Sequence, residues 1–141
     1  MSYRVTQIEL LGFGTRWLTP ERSKNAYQFA LPYTHSKRYG LNEDTVEDIQ
    51  RLEISDHAQA KRWLSDRFLV EGTVQIVFGD DEVCVIDADK FIASWDQIFV
   101  PSRDDAVVLH NLNNQVLFYC HEEELEFGYR ISPTIHSTRS R

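Results

Sequence analysis

At 141 residues, with 42% hydrophobic and 26% charged residues and a formal net charge of −7, the chain has the size and composition of one globular domain. A chain of this size buries about two-thirds of the surface its unfolded form exposes, and three Trp, six Tyr and eight Phe supply a core that needs neither a metal nor a disulfide. No segment approaches the ~20 apolar residues of a membrane helix and the N-terminus lacks a signal-peptide core, so a cytoplasmic protein without a cofactor is expected.

In chain order, the alternation from Tyr3 to Leu11 predicts a strand that Gly12 and Gly14 break. Thr19-Pro20-Glu21-Arg22 has an N-cap followed by Pro at the first helical position and predicts a short helix through Asn25. Tyr27, Phe29 and Leu31 share one face of a short strand that Pro32 ends, and Thr34 to Gly40 is a basic, polar loop. Asp44-Thr45-Val46-Glu47 resembles a capping box, with Val46, Ile49 and Leu52 at helical spacing behind it, which predicts a helix. A second helix opens at Ser55 and carries an apolar stripe of Ala60, Trp63, Leu64 and Phe68.

After Gly72 the period changes to two. Thr73 to Phe78 and Glu82 to Ile86 flank Gly79-Asp80-Asp81 and predict a hairpin. Asp87 caps a short helix with Phe91, Ile92 and Trp95 on one edge. Ile98 to Val100, Ala106 to His110, Gln115 to Cys120 and Leu125 to Ile131 follow as strands of a meander. The expectation is an α+β fold over residues 1–131: a mainly antiparallel sheet of five or six strands with two or three helices on one face, then a frayed tail at 132–141.

Charge is separated along the chain. From Asp80 to Glu126 there are twelve acids against two bases, Lys90 and Arg103, so this segment carries −10 and the remainder +3. Such a surface repels phosphate backbones and attracts basic proteins. Nucleic-acid binding, suggested by the aromatic and basic residues Trp17, Tyr33, His35, Lys37, Arg38 and Tyr39, therefore ranks third.

Within the acidic segment, His121-Glu122-Glu123-Glu124 juxtaposes an imidazole with carboxylates, but consecutive strand residues point to alternate faces and do not converge on one ion, and in a turn the four are a solvated connection. Asp80-Asp81 and Asp104-Asp105 are acids in turns, where Asp bonds to nearby backbone, and neither has the spacing of a calcium loop. Cys84 and Cys120 lie in apolar runs without C-x-x-C spacing and read as buried thiols. Continued alternation places Cys120 with Val116 and Phe118 and sends His121 to the other face, so zinc would need Cys84 and His110 from other strands. No nucleophile elbow or phosphate loop is present.

The order WLSDRF at Trp63 to Phe68, FIASWDQIFVPSRDDAVVL at Phe91 to Leu109 and FGYR at Phe127 to Arg130 resembles a group of small bacterial proteins classed as a domain of unknown function. It is also similar to the acidic immunity proteins that bacteria pair with secreted toxins. The resemblance implies a cytoplasmic bacterial protein and transfers no catalytic residue. The leading expectation is a non-enzymatic binding module. Its contact face comprises Asp80, Asp81, Asp104, Asp105, His121, Glu122, Glu123 and Glu124, with Trp95, Tyr119 and Tyr129 as aromatic contacts. The alternative is a small hydrolase or metal-dependent enzyme using His121 or His110 with nearby carboxylates.

Overall fold

The computed structural model describes residues 2–131. Along the chain run α1 (Tyr3–Glu9), β1 (Arg16–Trp17), α2 (Pro20–Ala30), a 3₁₀ turn (Leu31–Tyr33), β2 (Val46–Glu53), α3 (His57–Ser65) and β3 (Thr73–Val77). β4 (Val83–Asp87), α4 (Ala88–Ile98), β5 (Ala106–His110), β6 (Gln115–Cys120) and β7 (Glu124–Arg130) complete it. All strand pairings are antiparallel, and the seven strands form one sheet in the order β1-β4-β3-β5-β6-β7-β2. The α+β class is as expected, with more strands than the five or six predicted. The predicted tail at 132–141 lies outside the described residues.

Helices cover both faces of the sheet, which corrects the expectation of one. On one face Ile8, Leu64, Phe91 and Ile98 from α1, α3 and α4 pack on Ile76, Val108, Leu117 and Phe127. On the other, Ala30 of α2, Tyr33 of the 3₁₀ turn and Leu41 pack on Val77, Val107, Leu109 and Phe118. The cause lies in the central strands. AVVLH of β5 and QVLFYC of β6 are buried at every position, and strands apolar on both sides must be covered on both.

Three local expectations change. Tyr3–Glu9 is helical rather than extended: the Ser2 hydroxyl accepts the Val5 N–H as N-cap, and Ile8 is the helix's buried residue. Residues 27–30 continue α2, whose start at Thr19 and Pro20 is as read, leaving Phe29 and Leu31 half-exposed. Residues 46–53 are a strand. Asp48 takes φ 56° and the register with β7 shifts between Glu47 and Gln50, so a bulge inserts there. The bulge puts Val46 and Ile49, three apart, on the same α2 side, and ordinary alternation then sends Leu52 to the other. That spacing imitates a helix in the sequence.

The β3–β4 hairpin, β5, β6 and β7 occur where predicted. α3 begins one residue later than expected, with Asp56 rather than Ser55 accepting the Ala58 and Gln59 N–H groups. Asp87 occupies the α4 N-cap without a side-chain capping bond, and residues 99–100 form no strand. Among the described residues no helix is long and apolar enough to cross a membrane.

Candidate functional site

Strand register brings the acidic loops together. β3 ends at Val77 opposite Val107 near the start of β5, and Ala106 in turn faces Tyr119 near the end of β6. The β3–β4 turn, the α4–β5 loop and the β6–β7 turn therefore share one end of the sheet, where β2 also finishes with Glu53 opposite Glu124.

The predicted contact residues divide sharply at this end. Asp80, Asp81 and Glu122 are exposed, and among the described residues none forms an ion pair. Glu123 sits at φ 61° in the turn with its carboxylate 4.0 Å from His57 Nε2, and Glu124 pairs with Arg51. Asp104 is fully buried. Its carboxylate accepts bonds from Arg4 at 2.9 and 3.0 Å, from Arg103 at 2.7 and 2.8 Å, and from the Val100 N–H at 2.8 Å. Burial pushes this carboxyl up, but Arg103, the Val100 N–H and Arg4 together outweigh it and hold it below the usual carboxylate range. Asp104 is thus a clamp between α1 and the α4–β5 loop, not a contact residue.

Trp95 and Tyr119 are also corrected as contact residues. They are 3% and 1% exposed, and Tyr119 stacks on Phe99 at 4.5 Å between ring centroids, so neither offers area to a partner. Tyr129 is half-buried against Phe127 at the far end of β7. His110, proposed for the enzymatic alternative, is a structural residue at that far end. Its Nδ1 accepts the Leu112 N–H at 3.0 Å, which leaves Nε2–H to donate to the Leu69 carbonyl at 3.0 Å.

His121 and Cys120 do not diverge as alternation implied. β6 ends at Cys120, and His121 already lies in the turn, where alternation no longer applies. Asp105, one residue before β5, accepts the His121 N–H at 2.9 Å and meets its Nδ1 at 2.8 Å. One donor atom each from Asp105, Cys120 and His121 lies within 4.8 Å of the others. Accepting a hydrogen bond from the His121 ring, Asp105 raises the His121 pKa, and burial followed by the neighbouring carboxylates raises that of the Cys120 thiol. Asp105 makes the imidazole more basic, but burial keeps the Cys120 thiol un-ionised, the reverse of the lowered thiol pKa of an activated cysteine nucleophile. Cys84 faces the other side of the sheet, where burial lifts its thiol to about 12.

A cavity of about 510 Å³ opens beside this cluster on the α2 side. Val77, Val107 and Phe118 of the sheet line it, together with Tyr27 and the loop from Thr34 to Gly40, and Asp105 belongs both to its wall and to the cluster. The loop is pinned from below. Buried Glu126 accepts the Leu41 N–H at 2.8 Å and Arg38 at 3.0 Å, while Arg38 also reaches Glu43 at 3.0 Å. The Tyr39 ring then meets His121 edge-on at 4.9 Å. Sequence reasoning noticed the basic, aromatic composition of the loop but not its placement. The signal was Glu126, a carboxylate among the buried positions of β7 that had to find a cation.

No family model matches the chain, and neither a curated protein nor a solved structure matches it.

Proposed function

We propose that the chain is a non-enzymatic, cytoplasmic binding module of the immunity type, which presents the acidic end of its sheet to a basic protein. The observation that carries this is the convergence of Asp80, Asp81 and Glu122, exposed and outside any ion pair among the described residues, from two turns at one end of the sheet. The contact face is smaller than the −10 of its segment implies, because Asp104, Glu124 and Glu126 are neutralised by arginines within the fold. Unspent charge on short turns steers a basic partner and sets its association rate more than its final affinity.

The test is a pull-down from native lysate at low and high salt, with mass spectrometry of what is retained, followed by kinetics on the purified pair. A stoichiometric basic protein lost as salt rises is expected. The triple variant Asp80→Lys, Asp81→Lys, Glu122→Lys should slow its association by about tenfold or more at low salt and flatten the salt dependence. A partner bound equally fast by this variant would remove the acidic end as the contact face, and no retained protein at either salt would remove the binding role.

A further inference from the structure

We propose that Asp105, Cys120 and His121 form a binding site for a single zinc-type divalent cation, at the edge of the cavity beneath the 34–40 loop. The donor set includes none of Asp80, Asp81 and Glu122, so the proposal does not rest on the binding role above.

The donor set points to the ion. A thiolate, an imidazole and a carboxylate suit zinc and its softer neighbours, whereas magnesium and calcium take oxygen ligands. The three donor atoms already lie within 4.8 Å of one another, close to the roughly 3.3–3.8 Å that separates ligands around a tetrahedral zinc ion. The backbone supports the arrangement: β5 and β6 are paired immediately before the cluster, with Ala106 opposite Tyr119. Two side chains of the cluster therefore spring from the ends of a rigid ladder and the third from the tight turn that follows.

The surroundings fit a ligating thiolate and imidazole. The Glu122 N–H, two residues on, donates to Cys120 Sγ at 3.4 Å, a contact that strengthens when sulfur carries negative charge. Tyr39 holds the His121 ring edge-on, and Asp105 holds both the backbone and the ring of His121. Exposed Glu122 adds negative potential that attracts a cation. Binding releases the Cys120 thiol proton to solvent. With three protein ligands, the fourth tetrahedral position falls to water or to a molecule entering the cavity that Asp105 lines.

Cobalt(II) titration of untagged protein, first dialysed against chelator, tests the site directly. A thiolate-to-cobalt charge-transfer band in the near ultraviolet, saturating at one equivalent and displaced by zinc, is expected. Cys120→Ser should abolish the band, and Cys84→Ser should retain it. His121→Ala and Asp105→Asn, both at half-exposed positions, should weaken cobalt binding by at least tenfold while leaving the circular dichroism spectrum unchanged. Absence of the band in the unsubstituted protein overturns the proposal, as does a band that survives in His121→Ala with unchanged affinity. If Cys120→Ser fails to fold, the His121 and Asp105 variants decide the matter alone.

Discussion

Asp104→Ala is expected to destabilise the protein by about 3 kcal/mol. Removing one partner of a buried ion pair costs about 3–5 kcal/mol, because the partners are left without compensation. Here the groups that lose a partner are Arg4 and Arg103; Arg4 keeps Glu82, Arg103 keeps Gln7, and their side chains retain 21% and 28% exposure, which places the cost at the lower end. The Val100 N–H also loses its acceptor. Urea unfolding should show the midpoint falling with an unchanged slope. A loss below about 1 kcal/mol would mean that the carboxylate's burial offsets its bonds. The same group fixes an acid dependence. Its folded-state pKa lies below the unfolded value of about 3.9, so its contribution is present above that pH and is lost as pH falls through the folded value. Asp104→Asn should therefore be less stable at neutral pH, and its stability should fall less steeply on acidification below about pH 4.

Gly128→Ala should cost about as much, for a different reason. A Cβ at this position would lie 2.5 Å from Val46 Cγ1 and 2.9 Å from the Glu47 carbonyl oxygen, both on the bulged part of β2. Neither is the end of a flexible chain, so the strand itself must move. Overpacking of this kind costs about 1–3 kcal/mol, and a backbone contact puts the expected value near 3 kcal/mol. Combining it with Val46→Ala removes one of the two clashes, and a double-mutant cycle should recover roughly 1 kcal/mol of coupling. Strict additivity would show that β2 is free to shift away from β7.

The parts of the fold legible in the sequence are those whose determinants are local. Gly79-Asp80-Asp81 between two β-branched runs specifies a hairpin from within a dozen residues, and Thr19-Pro20 specifies a helix start from two. Residues 46–53 were illegible because the bulge at Asp48 is a property of pairing with Gly128, far along the chain, and a bulged strand spaces its apolar residues like a helix. At the N-terminus, Val5, Ile8 and Leu11, three apart, carried a helical spacing that the strand reading of this short stretch passed over. The candidate site failed in two ways. Asp104 reads as a turn acid until Arg4, 100 residues away, is placed against it. Cys120 and His121 read as divergent only while the strand is taken to continue, and one residue of boundary error reverses that conclusion.

The two margins of the sheet have a consequence for association. At one, β1 is only two residues long. At the other, β2 carries its bulge and the exposed side chains Glu47, Asp48, Gln50, Arg51 and Glu53. A foreign strand laid along either margin meets a stub or a twisted, charged rail, so it cannot continue the ladder. The sheet is self-terminating. For the binding role proposed above, this leaves the side chains at the ends of the sheet, rather than the backbone at its flanks, as the surface on which a partner would be met.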